Sequence, residues 1–137
     1  MKCNFALKEE YRFAKIENSP DIPAIDILIF HENFKSSISA LAVIDTGFDE
    51  ALLLSKILRD AVYKFVDPYA HGTLYAGSLE IPCELYALKI RIADRWLDAI
   101  AYAPIIGDYD NLIGRKILND FNLCMRAPSG KVHLAEK

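Results

Sequence analysis

Asp45, Thr46 and Gly47 follow directly on the apolar run Ala40–Ile44, and no other Asp-Thr-Gly occurs in the chain. An uninterrupted short apolar run that ends in Val43 and Ile44 reads as a strand, and the triplet then ends that strand in a turn. A carboxylate is thereby presented at a strand end, beside a hydroxyl and a glycine. Glycine suits the place because it accepts positive φ or close backbone approach without steric cost. Asp and Gly are also ordinary turn residues, so the neighbouring sequence decides what the turn is for.

That sequence is β-patterned along most of its length. Tyr11–Ile16 and Ala24–Phe30 are predicted strands, separated by the breaker cluster Asn18-Ser19-Pro20-Asp21-Ile22-Pro23. His31–Lys35 makes a polar turn into the strand Ser36–Ile44, which delivers Asp45. Asp49, Glu50 and the run Ala51–Leu54 are expected to continue the loop outward, and Ser55 is a suitable N-cap for a helix over Lys56–Tyr63. Strands are expected again near Leu79–Ile81, Tyr86–Ile92 and Trp96–Tyr102, with Trp96 in the core, and Gly114 opens a second short helix.

Two segments carry a resemblance. Leu41-Ala42-Val43-Ile44-Asp45-Thr46-Gly47 resembles the first motif of the retropepsin-like aspartic peptidases, and Asn111-Leu112-Ile113-Gly114-Arg115-Lys116-Ile117-Leu118 resembles their second. Phe121–Arg126, Ala127–Gly130 and Lys131–Leu134 look like the closing strand, turn and strand, so the resemblance spans about Ala24 to Leu134. It implies an all-β fold, a retropepsin-like closed β-barrel or sandwich with one or two short helices, acting as a two-fold dimer. It also implies that Asp45, Thr46 and Gly47 form the catalytic turn. Because that chemistry needs two opposed carboxylates, a single triplet implies a homodimer acting on a peptide or protein substrate, with no metal and no cofactor.

The resemblance assigns further roles. Arg115, following Gly114, is implied to pair with Asp49 and brace the catalytic loop. Asp67–Gly77 falls where the family has its flap, which places His71, Gly72, Thr73 and Tyr75 as flap or substrate-binding residues. Phe48 stands where Ala or Ser is usual, so its ring is expected to narrow or fill the cleft. Lys116 replaces the usual Asp or Asn. The reading of a different class is a dimerisation or peptide-binding module with little hydrolysis.

Composition bounds the rest. At 137 residues, 53% hydrophobic and 26% charged, the chain has material for one sizeable core, and residues 1–137 are expected to form a single domain. With a net charge of −3 and no Lys/Arg cluster, nucleic acid is not an expected partner. No run approaches the roughly eighteen apolar residues of a spanning helix, so no membrane partner is expected. Cys3, Cys83 and Cys124 lack metal-site spacing and are expected to be reduced thiols of a cytoplasmic protein.

Overall fold

The computed structural model describes residues 9–15, 20–126 and 129–136. Cys3, Ile16, Asn18, Ser19, Ala127 and Pro128, named above, lie outside them. The elements in chain order are β1 (Glu9–Arg12), β2 (Ala24–Phe30), β3 (Ile38–Ile44), β4 (Leu52–Leu53), α1 (Lys56–Tyr63) and β5 (Ala70–Ala76). They continue with β6 (Leu79–Ile92), β7 (Arg95–Pro104), β8 (Leu112–Ile113), α2 (Arg115–Leu118), β9 (Phe121–Arg126) and β10 (Lys131–Glu136).

One sheet has the order β2-β3-β8-β4-β7-β6-β5, and β2 also pairs with β6 through Leu28↔Arg91 to Phe30↔Lys89. That extra pairing closes β2, β3, β8, β4, β7 and β6 into a barrel, which removes the open edges of the sheet. β5 is left outside the ring as the partner of the first half of β6. A second sheet, β1-β10-β9, is antiparallel throughout. Its Val132, Leu134 and Phe121 join the same core as the barrel.

Strand alternation determines which side chains fill that core. Ile25, Ile27 and Ile29 of β2 point inward with Tyr86, Leu88, Ile90 and Ile92 of β6, all buried, while Asp26 is exposed. β7 contributes Ala99, Ala101 and Ala103, whose small side chains leave room for Leu58 and Val62 of α1 within the same cluster. Helix α1 occupies the predicted residues, and Ser55 caps it by accepting the Leu58 N–H at 3.2 Å.

Four sequence expectations change. Ala51–Leu54 does not lead outward: all four residues are buried, and Leu52–Leu53 pair with both β7 and β8. An apolar run without alternation is what a short strand covered on both faces requires. The strands expected at Leu79–Ile81 and Tyr86–Ile92 are one fourteen-residue strand that passes through Pro82. The Pro82 carbonyl accepts from Ile105 on the β7 side, so the missing N–H falls on that side too, one position past the last ladder pair Cys83↔Pro104, where the Ile105 bond is the final one. Trp96 is 49% exposed, because β7 alternation turns it outward, where it meets Phe30 edge-on at 6.2 Å. Cys83 is a buried free thiol, but Cys124 is disulfide-bonded, so the expectation of reduced thiols fails there and its argument for a cytoplasmic location goes with it.

Candidate active site

The strand order creates the site. β8 lies between β3 and β4, parallel to the first and antiparallel to the second, so the chain from Asp45 to Ala51 must cross over the end of β8. Hydrogen bonds fix this crossing to its neighbour. The Asp45 N–H donates to the Ile113 carbonyl at 2.9 Å, Gly114 donates to Ala51 at 3.0 Å, and Arg115 donates to Phe48 at 2.8 Å. Within the turn, Phe48 donates to the Asp45 carbonyl at 3.1 Å and the Gly47 N–H donates to Asp45 Oδ1 at 2.9 Å. The carboxylate is therefore held by the glycine two residues on, the role that the Asp-x-Gly spacing allows.

Gly114 is buried directly beneath the crossing. A Cβ there would stand 2.1 Å from the Glu50 carbonyl oxygen and 2.5 Å from that of Phe48, closer than any side chain permits. Close backbone approach, rather than an unusual φ, demands glycine at this position. Asn111 fastens the other end. Its side-chain amide donates to the Leu41 carbonyl at 3.1 Å and its oxygen accepts the Ser55 N–H at 2.7 Å, joining β3 to the start of α1.

Two ion pairs link the crossing to α2. Arg115 donates to Asp49 Oδ1 within the same chain, and Lys116 Nζ meets Glu50 Oε2 at 2.6 Å. The first pair is 52% and 74% exposed at its side chains and so is a surface pair. The hydrogen bond from Glu50 raises the Lys116 ammonium above its ordinary pKa. Burial, and then the Glu50 carboxylate, raise the Tyr102 phenol nearby. Lys116, a departure from the family pattern, thus finds its partner in the residue after Asp49.

Asp45, Gly47, Phe48, Asp49 and Glu50 form one wall of a cleft of ≈ 510 Å³. Leu53, Ile81 and Leu112 give it apolar surface, and Thr73–Gly77 of the β5–β6 hairpin line it too. Asp45 is half-buried in this cleft, while Thr46 and Gly47 are exposed. Phe48 lines the cleft without filling it. Thr73 and Tyr75 line it as well, whereas His71 and Gly72 do not: they pair with Glu84 and Cys83 nearer the hairpin base. The hairpin turns at Gly77 and Ser78, between Ala76 and Leu79, with Gly77 at φ 63°. Glycine at the first of two central positions is what a type II′ hairpin turn requires.

Leu53, Leu112 and Ile81 escaped the sequence reading because isolated apolar residues carry no signal of which cavity they face. No group of His, Cys, Asp and Glu suited to a metal occurs among the described residues, and no helix among them is long and apolar enough to cross a membrane.

No protein-family model matches this sequence, and no curated protein sequence does. Solved structures do match. The chain is similar to a retropepsin-like aspartic protease from Rickettsia conorii with a TM-score of 0.61 and 15% identity, over 98% of this chain and 95% of that one. It is similar to EIAV protease complexed with the inhibitor HBY-793 with a TM-score of 0.59 and 19% identity, over 77% of this chain and 93% of that one. These likenesses extend over nearly the whole of both relatives, and with the barrel and crossing described above they give this chain a retropepsin-like fold.

Proposed function

We propose that this chain is an aspartic endopeptidase that works as a homodimer, with one Asp45 from each protomer forming the catalytic dyad. The observation that carries the reading is the placement of Asp45 at the end of β3, held by Gly47 and lining a cleft that the β5–β6 hairpin also lines. A single carboxylate cannot both activate water and donate a proton to the substrate, and the exposure of Thr46 and Gly47 leaves the turn available to a second copy.

In such a dimer the two Asp45 carboxylates share a proton. Two full charges about 3 Å apart at an effective dielectric near 20 repel by about 5 kcal/mol, which favours one proton shared between them. This is the general property of aspartic-peptidase dyads. The ionised Asp45 takes a proton from a water held between the two, and the protonated one donates to the peptide carbonyl oxygen. The water oxygen bonds to the carbonyl carbon, giving a tetrahedral diol. Its collapse breaks the C–N bond as the leaving amine takes a proton from the now protonated Asp45 and a diol hydroxyl gives one to the other, leaving a carboxylic acid, an amine and a singly protonated dyad. The apolar surface of Leu53, Ile81 and Leu112 favours apolar side chains next to the scissile bond.

The test is Asp45→Asn, which keeps volume and removes the ionisable oxygen. Peptide cleavage falls to background with the fold intact; a variant that cleaves as fast as wild type would falsify the mechanism. One observation favours a second reading, a peptide-binding module with little hydrolysis: the Phe48 ring stands on the cleft wall two residues from Gly47's neighbour Thr46. Inert wild type with Asp45-dependent cleavage by Phe48→Ala identifies that case.

A further inference from the structure

The β5–β6 hairpin that lines the cleft has a defined root. β6 pairs with β7 from Ile92 back to Cys83, and with β5 from Leu85 onward to Leu79. Pro82 still accepts from Ile105, so from Leu74↔Ile81 to Ala76↔Leu79 the hairpin is a two-stranded arm, and Pro82–Leu85 is the junction where it joins the barrel. A short two-stranded ribbon has little stability of its own, so its direction is set at this junction. Each arm strand is three residues long, about 10 Å at ~3.4 Å per residue, so a tilt of about 10° at the root moves the tip by about 2 Å.

Glu84 sits in the junction and is tied to a different element. Its carboxylate accepts from Arg59 Nε at 2.7 Å and from the second guanidinium arm at 3.1 Å, and Oε1 also accepts from the Tyr86 hydroxyl at 3.1 Å. Arg59 belongs to α1, where it also bonds Asp60 at 3.1 Å and lies over the Tyr63 ring at 4.2 Å. The pair is largely withdrawn from solvent, with side-chain exposures of 28% and 14%, unlike the surface pair at Asp49. His71 stands opposite Glu84 on β5. Neither Arg59 nor Glu84 lines the cleft. Two parallel bonds from a planar guanidinium fix angle as well as distance, which a single contact does not.

We propose that Arg59 and Glu84 are a positioning pair that holds the β5–β6 arm at its working height over the Asp45 cleft from outside the cleft. The consequence for substrate rests on the peptidase reading; the consequence for the arm does not. Glu84→Gln keeps volume and an acceptor for Tyr86 while removing the charge, and Arg59→Lys keeps the charge while removing the fork. In each variant, amide hydrogen exchange of Leu74–Ala76 and Leu79–Ile81 accelerates about ten-fold or more while that of β2 and β3 stays near wild type. KM for a peptide substrate rises about five- to ten-fold with kcat within about two-fold, and the charge-reversed double variant, Arg59→Glu with Glu84→Arg, recovers both. Unchanged exchange in the arm, or an equal rise in arm and barrel, overturns the proposal. If wild type shows no Asp45-dependent cleavage the peptidase reading falls, and arm exchange alone decides the pair.

Discussion

The site depends on a residue with no side chain at all. Gly114 lets the Asp45–Ala51 crossing rest on β8, and an added Cβ would overlap two backbone carbonyls that no rotamer change can move. Gly114→Ala is therefore expected to destabilise the fold by about 3 kcal/mol or more, at the upper end of overpacking costs, read from urea unfolding. A loss under about 1 kcal/mol contradicts the crossing as described. Asp49 and Arg115 sit a short way off but count for much less. As a burial-dependent brace the pair would be worth several kcal/mol, but its exposure puts the coupling energy from a double-mutant cycle at about 0.2–1 kcal/mol, falling with added salt. A coupling of about 3 kcal/mol, unchanged by salt, points to burial of the pair in the dimer. The sequence indicated this loop through the resemblance, which assigns roles to the Asp45–Gly47 turn, Gly114, Arg115 and Asp49 although Asp49 and Arg115 lie 66 residues apart. It did not indicate Asn111 or Glu50 as partners, because the resemblance assigns them none and their contacts join β3 to α1 and the crossing to α2 across long stretches of chain.

At the scale of elements, Ser55 made α1 legible, since a cap is read within a few residues, and Leu58 and Val62 form its buried face. β4 and the continuity of β6 were not legible. Leu52–Leu53 is a strand only because β7 and β8 flank it, and Pro82 is tolerated only because of which side its ladder has ended. The β6–β7 turn shows the same tertiary override: Ala93 and Asp94 take φ of 49° and 63° without a glycine. Arg91 holds Asp94 at 2.7 Å, whereas Ala93 bears the full left-handed cost, so Ala93→Gly is expected to raise stability by about 0.5–1 kcal/mol in thermal or urea unfolding. A destabilised variant contradicts that turn geometry.

The Arg59–Glu84 tie gives the hairpin a pH signature. The Arg59 hydrogen bond holds the Glu84 carboxyl below its ordinary pKa, and burial with the Glu84 charge pushes the Tyr86 phenol up to about 12. A carboxylate depressed in the folded state contributes stability above its unfolded pKa and loses it as pH falls through the folded value. The melting temperature of Glu84→Gln should lie below that of wild type by a constant margin from about pH 5 to 8, and the margin should close below about pH 4. A margin that widens in acid contradicts the assignment. The tie thus survives in the mildly acid range where a shared proton is held by a carboxylate dyad.

For the whole molecule, the closed barrel with β8 threaded between β3 and β4 places the single Asp45–Gly47 turn of the chain at the cleft. The fold class was legible in the sequence because two motifs and a closing hairpin occur in the right order. The disulfide at Cys124 was not, since three cysteines far apart give no pairing signal. The central claim is that catalysis takes two copies of Asp45, and subunit mixing measures it most directly. Wild type is mixed with an equal amount of inactive Asp45→Asn and left to exchange, and the cleavage rate is followed. Random pairing leaves wild-type dimers at about half their starting number, so activity is predicted to fall to about half, and further as more variant is added. A rate that does not change with added Asp45→Asn, from wild type shown to exchange subunits, contradicts the shared dyad.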